Sequence, residues 1–234
     1  MYIVGIDYSI THASYCITRD FDEYWFGSIV NPTKMPKKTL DVLSDLSKKS
    51  NGYINFTITK RVNACVDYDG MTYQESERVK LINHMHVSNV LANKIIDCTG
   101  NLPDTLVGME GYSYSSEGSA VFDTAQATGM FRRELMLSVL KNDVNKLFVF
   151  SPSELKNSIG CKGNAAKSEI FNAFIEDPVL PKLKSTVFYN YIVDNKDDKV
   201  LRVTKDDKSV IKSPFNDIID ACLPVMKIYK TING

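Results

Sequence analysis

Short apolar runs and amphipathic segments alternate along most of the chain. The first run, Tyr2 to Asp7, is rich in β-branched residues and ends in an acid. Two further runs, 14–18 and 24–29, follow after short links, which predicts three strands joined as a β-meander. Later strands are predicted at Tyr53 to Ile58, Thr105 to Met109 and Leu147 to Phe150.

Helices are predicted wherever apolar side chains recur at spacings of three and four residues. The predicted helices cover Lys37 to Lys49, Gln74 to Cys98, Val121 to Leu140 and Pro214 to about Tyr229. Because strands alternate with helices after an antiparallel start, the pattern predicts an α/β fold whose sheet has mixed strand directions. The charged segment Thr186 to Lys212 has two β-like stretches around 195–198, and we predict a hairpin inserted there before the last helix.

The composition is that of a folded protein. Apolar residues make up 44% of the 234, enough for a substantial core, and we expect a single domain over residues 1–234. No apolar run approaches the roughly 20 residues that span a bilayer, and no secretory leader precedes the first strand. The five cysteines are scattered without a C-x-x-C pair, so we expect a soluble, cytoplasmic protein without disulfides or structural zinc.

The balance of charges argues mildly against a nucleic-acid partner. Lysines and arginines number 28 and acids also 28, whereas nucleic-acid-binding domains usually carry a basic excess. The objection weakens if several acids cluster around cations, because a metal-bound carboxylate presents less negative charge to a polyanion.

Four acids that lie far apart in the sequence are the candidate chemistry. Asp7 and Glu110 each end a predicted strand, and Asp217 and Asp220 share one face of the last predicted helix because they are three residues apart. Carboxylates brought together repel one another and require cations, and hard oxygen ligands suit Mg²⁺ or Mn²⁺. Two such ions, about 3.5–4 Å apart, support in-line hydrolysis of a phosphodiester.

The local sequence around these acids is similar to that of the RuvC-type resolvases, enzymes of the ribonuclease H superfamily that cut four-way (Holliday) DNA junctions. The matching segments are 3–9, 109–112 and 217–221, so each of the four family acids has a counterpart. The resemblance implies a ribonuclease H-like mixed five-stranded sheet flanked by helices. It also implies a crossover junction endodeoxyribonuclease in which Asp7 bridges two Mg²⁺ ions, the other three acids complete their shells, and Mn²⁺ substitutes.

Two further segments resemble parts of the family that contact DNA and form the dimer. Residues 155–167 are similar to the family's lysine-containing loop, which implies that Lys156 and Lys167 contact phosphate near the cleavage site. Phe122 to Arg133 resembles a family helix that contributes to dimerisation, and two cuts in a two-fold substrate imply a homodimer, with the helix Val121 to Leu140 as its expected interface. A local basic surface is also expected from Lys162, Arg132 and Arg133. Stacking on unpaired bases is expected from Tyr112 and Tyr114.

The sequence departs from the family at several points. Cys161 stands where the family loop commonly has a glycine, and Ser9 replaces a glycine two residues after the first acid. Segments near 36–65 and 186–212 are predicted to be insertions into the compact bacterial form. The resulting length is closer to that of virus-encoded members, for which the host cytoplasm is the expected location.

Three alternatives remain open from the residues. Actin-like kinases begin with a phosphate loop similar to Gly5 to Thr11, but they need a second glycine-rich motif and a larger second domain. A protein that binds junctions without cutting them is a second alternative, although none of the four acids is missing. A nuclease that debranches DNA more broadly is the third, because its chemistry is identical and only the substrate geometry differs.

Overall fold

The structure is a computed structural model that describes residues 1–9, 12–32, 35–59, 70–100, 102–111, 119–176, 178–198, 201–205 and 208–234. Its main feature is a mixed sheet with the strand order β4-β3-β2-β1-β5-β6. The strands are β1 (Tyr2–Asp7), β2 (His12–Arg19), β3 (Glu23–Val30), β4 (Ile54–Ile58), β5 (Thr105–Glu110) and β6 (Leu147–Phe150). The strands β1, β2 and β3 are antiparallel neighbours, whereas β4, β5 and β6 each pair in parallel with their neighbours.

Helices flank this sheet on both faces. They are α1 (Lys37–Lys49), α2 (Tyr73–Thr99), α3 (Ser119–Glu134), α4 (Pro152–Ser158), α5 (Lys167–Glu176), α6 (Val187–Asp194) and α7 (Phe215–Asn233). A π-helical turn, Leu135–Val139, continues α3, and short 3₁₀ turns cover Val144–Lys146 and Leu183–Ser185. The predicted α/β class, the antiparallel start and the mixed sheet flanked by helices are confirmed. Every helix in the described ranges is too short or too polar to cross a membrane.

The central strand β1 is buried on both faces, which explains its nearly unbroken apolar sequence. Successive side chains of a strand point to opposite faces. Ile3 therefore packs among the residues that α4 to α7 contribute, whereas Val4 and Ile6 pack with the apolar faces of α2 and α3.

Glycines allow α7 to lie directly on the centre of the sheet. A Cβ at Gly5 of β1 would overlap the carbonyl oxygen of Ala221 and lie 2.7 Å from Cγ2 of Val225. A Cβ at Gly108 of β5 would lie 2.9 Å from Cβ of Pro224. This close approach carries the first turn and a half of α7 over the carboxyl ends of β1 and β5.

The sheet has one strand more than the resemblance implied. Within the predicted insertion 36–65, α1 crosses over the sheet and β4 then pairs in parallel with β3, from Phe26↔Ile54 to Val30↔Ile58. This part of the insertion therefore extends the sheet at its edge. It pairs backbone groups of β3 that would otherwise have no partner in the sheet.

The second predicted insertion, 186–212, holds a helix as well as a hairpin. Its hairpin consists of β7 (Arg202–Lys205) and β8 (Lys208–Ile211), while residues 187–194 form α6. The prediction of β-like stretches around 195–198 was wrong, since Phe188 and Ile192 follow helical spacing and are both fully buried. The extent of a single domain over 1–234 stays a prediction.

Candidate metal centre

The carboxyl ends of two neighbouring parallel strands carry the first two acids. Asp7 is the last residue of β1 and Glu110 is the last residue of β5. The strands pair in register with Ile6 opposite Met109, so the two acids leave the sheet side by side. Both side chains are half-buried, because helices cover the sheet up to this edge.

The helix α7 brings two more acids to the same edge. Asp217 and Asp220 lie three residues apart in its first turns, which places them on one face. Carboxylate oxygens of Asp7, Asp217 and Asp220 all lie within 4.8 Å of one another. The structure therefore brings together three of the four predicted acids in a tight group. Glu110 stands outside that group but lines the same cleft.

Burial and mutual repulsion make full ionisation of this cluster unfavourable. The pKa of Asp7 is raised well above its ordinary value, first by burial and then by the charges of Asp220, Asp217 and Glu110. Burial also raises the pKa of Asp220, with Asp217 adding to the effect and Lys167 opposing it. For Glu110, burial and the charge of Asp220 raise the pKa. Cations within the cluster would relieve this repulsion.

The donor set fits a hard divalent cation. It consists of carboxylate oxygens alone, which are the ligands that Mg²⁺ and Mn²⁺ prefer, and the described residues around it contribute no thiolate or imidazole. Asp7, Asp217 and Asp220 could hold such an ion together, and Glu110 offers a further carboxylate in the same cleft.

Lys167, the first residue of α5, places a positively charged side chain beside the acids. Its Nζ lies 3.3 Å from Oδ2 of Asp220, and its side chain is 59% exposed. Burial by itself would lower the pKa of Lys167, but the attraction of Asp220, Asp217 and Asp7 exceeds that effect and raises it. The side chain therefore remains an ammonium group at neutral pH and partly offsets the charge of the acids.

Lys156 has a structural partner as well as a place in the cleft. Its Nζ donates a hydrogen bond of 2.9 Å to the carbonyl oxygen of Ala165, and its own carbonyl accepts from the backbone N–H of Cys161. Both bonds connect α4 to the loop that leads into α5. Lys156 thus holds the loop that presents Lys167, which the spacing of the two lysines did not indicate.

The acids and both lysines surround one cleft of about 510 Å³. Its remaining walls come from the link after β1, from α4 and α5, and from the start of α7. The other lining residues are Ser9, Pro152, Leu155, Ala165, Ile170, Ser213 and Leu223.

Of the remaining predicted DNA contacts, the three that the structure describes do not line the cleft. Lys162 is exposed on the loop between α4 and α5, and Arg132 and Arg133 lie on α3, half-buried and exposed respectively. Tyr112 and Tyr114 lie outside the described residues. The DNA-binding roles of these five residues stay predictions.

Asn216 belongs to the site, and we did not predict it. Its Nδ2 donates a hydrogen bond of 2.7 Å to Oδ2 of Asp220, and its side chain is 5% exposed. The available signal was the spacing of four residues between Asn216 and Asp220, because side chains so spaced are neighbours on a helix.

The sequence matches no protein-family model, and no curated protein is significantly similar to it. Comparison of structures finds RuvC of Thermus thermophilus at 11% identity and a TM-score of 0.44, covering 99% of this chain and 96% of that one. A structure of T. thermophilus RuvC in complex with a Holliday junction substrate matches at 9% identity, with the same TM-score and coverage. At this identity and TM-score the likeness assigns no function to the chain.

Proposed function

We propose that the chain is a metal-dependent, structure-specific endodeoxyribonuclease that resolves four-way DNA junctions by paired phosphodiester hydrolysis. The observation that carries the proposal is the convergence of Asp7, Asp217 and Asp220 within 4.8 Å, in a cleft that Glu110 and Lys167 also line. Carboxylates that lie so close together repel one another and destabilise the fold. A cation-dependent reaction explains why they are present.

Asp7, Glu110, Asp217 and Asp220 would hold the two Mg²⁺ ions of the proposed site. Bound there, the ions supply charge stabilisation for the phosphate and acidify the attacking water. The ammonium group of Lys167 neutralises the phosphate that enters the cleft. Lys156 contributes by holding the loop at Ala165, and its charge partly opposes the rise in the pKa of Glu110.

The proposed assembly is a homodimer, because two cuts across a junction require two sites related by the symmetry of the substrate. The helix α3 and its π-helical continuation are the proposed interface. Phe122 supports this choice, since a phenylalanine that is 78% exposed leaves a large apolar surface in water. The partner of the assembly is branched DNA.

Cleavage of a synthetic four-way junction tests the proposal. The junction is compared with linear duplex and Y-shaped DNA, with Mg²⁺ or with EDTA. The proteins are the unmodified chain, Asp7→Asn, and a matched control, Asp97→Asn, which neutralises an aspartate that is 66% exposed on α2. We expect paired nicks in the junction that require Mg²⁺, survive in Asp97→Asn and fall by at least about 100-fold in Asp7→Asn, the scale on which catalytic groups contribute.

Other outcomes distinguish the alternatives. Equal cutting of the junction and the Y-shaped DNA would identify a debranching nuclease with the same chemistry. Tight binding to the junction with no cutting by the unmodified chain would contradict the nuclease and leave a binding protein.

A further inference from the structure

Asp220 is held from two sides through the same oxygen atom. Oδ2 accepts one hydrogen bond from Nδ2 of Asn216 at 2.7 Å and another from Nζ of Lys167 at 3.3 Å. The two donors differ in charge, in burial and in the element that carries them. Because of these differences, a cation in the site would affect the two hydrogen bonds differently.

The bond from Lys167 is the one that a cation disfavours. The ammonium group is positively charged, is 59% exposed and reaches Asp220 from the start of α5. A divalent cation bound by Asp220 repels this ammonium group, and the exposed side chain has room in which to move toward solvent or an incoming phosphate.

The bond from Asn216 has the opposite character. The amide is neutral, so a cation does not repel it, and it subtracts nothing from the negative charge that attracts the cation. Asn216 precedes Asp220 by one helical turn on α7 and is 5% exposed, so the geometry of the helix itself maintains the contact.

We propose that Asn216 is a positioning residue that orients the Asp220 carboxylate for cation binding; the inference rests on the metal site of the proposed function. By holding Oδ2 it restricts rotation of the carboxylate and so limits the directions in which Asp220 would offer its oxygens to a cation. Lys167 is the exchangeable partner of the same carboxylate, and Asn216 is the permanent one. Groups that hydrogen-bond to metal ligands typically contribute about 10–100-fold to metal affinity.

The test is a titration of the protein with Mn²⁺ in the absence of DNA, followed by thermal denaturation. The variants are Asn216→Ala, which removes the amide, and Asn216→Leu, which replaces it with an apolar side chain of the same branched shape. Asn195→Ala is the matched control, because the amide of Asn195 also donates a hydrogen bond to a residue four positions away, Tyr191 O at 2.8 Å, but Asn195 follows the end of α6 and does not line the acidic cleft.

We expect the Mn²⁺ concentration for half-maximal stabilisation to rise by about 10–100-fold in both Asn216 variants and to stay unchanged in Asn195→Ala. Cleavage by the Asn216 variants should then recover toward the unmodified rate at saturating Mn²⁺, which a general loss of folding would not allow. Unchanged Mn²⁺ affinity in both variants would overturn the inference. Absence of Mn²⁺ binding by the unmodified chain would instead contradict the proposed function.

A measurement on the unmodified chain does not depend on how the variants fold. The side-chain NH₂ group of Asn216 gives its own pair of signals in an NMR spectrum of the ¹⁵N-labelled protein. We expect these protons to remain protected from solvent exchange both before and after Mg²⁺ is added. Loss of protection on adding Mg²⁺ would show that the bond to Asp220 breaks, and the inference would fail.

Discussion

Asp7 lies where burial and like charges act together, and its environment determines how the site responds to cations and to pH. Burial, Asp220, Asp217 and Glu110 all raise its pKa, and Lys167 opposes them only in part. The metal-free protein therefore carries an electrostatic strain that protonation relieves. A bound cation relieves the same strain, so metal and protons compete for this residue.

The strain predicts how the stability of the metal-free protein depends on pH. A carboxyl group whose pKa is raised by folding contributes stability below its unfolded pKa, about 3.9 for Asp. That contribution is lost as the pH rises through the raised value in the folded protein. In EDTA, the unmodified chain should therefore become progressively less stable than Asp7→Asn as the pH is increased from about 4 to 7.

Thermal denaturation of both proteins across this pH range measures the difference. Each kcal/mol corresponds to about 2–4 °C in melting temperature for a chain of this size. With Mg²⁺ at pH 7 the order should reverse, because only the unmodified cluster binds the ion fully. A difference that does not vary with pH in EDTA would contradict the electrostatic account.

At the scale of elements, the position of α7 on the sheet determines whether the acids meet. Two of them belong to this helix and two to the strands beneath it, so the cluster exists only while α7 stays close to β1 and β5. The absence of side chains at Gly5 and Gly108 allows that approach, since a Cβ at either position would lie less than 3.0 Å from atoms of α7.

A single added methyl group should therefore disturb both stability and cation binding. In Gly5→Ala the new Cβ would overlap the carbonyl oxygen of Ala221, a backbone atom that moves only with the helix. We expect a destabilisation of about 1–3 kcal/mol, typical of overpacking, together with weaker binding of Mn²⁺.

The control is Gly129→Ala on α3, where an added Cβ has no atom within 4 Å. Alanine favours a helix over glycine by about 1 kcal/mol, so this variant should be more stable than the unmodified chain. Urea denaturation measures both changes. Equal stability of the Gly5 and Gly129 variants would show that α7 is not held by the close contact.

At the scale of the whole molecule, the balance of charges and the proposed assembly bear on how a chain with no net charge would bind its proposed DNA substrate. The 28 acids equal the lysines and arginines in number, but three acids are gathered into one group, where the proposed cations would neutralise them. The surface that the proposed nuclease presents to DNA would then be more basic than the composition indicates. Binding to DNA is accordingly expected to require both the metal and, for paired cuts, a second copy of the chain.

The proposed dimer is tested at Phe122, which is 78% exposed on α3. A glutamate there places a charge in an interface that excludes water, so Phe122→Glu should sediment as a monomer and leave junctions with single nicks. Ile232→Glu is the control, because Ile232 is 49% exposed in the last turn of α7 and lies outside the proposed interface. If Phe122→Glu remains a dimer with paired cutting, α3 is not the interface.

The sequence by itself determined the features that depend on local pattern. Alternation and β-branching specify β1, β2 and β3, and the spacing of apolar side chains specifies α2 and the last helix, because these preferences act between residues close in the chain. The same patterns placed Asp7 and Glu110 at strand ends, and Asp217 with Asp220 on one helical face. The candidate acids were therefore visible before any contact between them was known.

Only the tertiary structure decided the features that depend on contacts between distant segments. The separation of the carboxylates follows from the packing of α7 against two glycines, and the bond from Lys156 to Ala165 follows from the path of a loop. The strand β4 could not be predicted as part of the sheet, because pairing with β3 depends on the crossover of α1. Short apolar segments such as 187–194 satisfy both helical and strand patterns, and burial against the core decides between them.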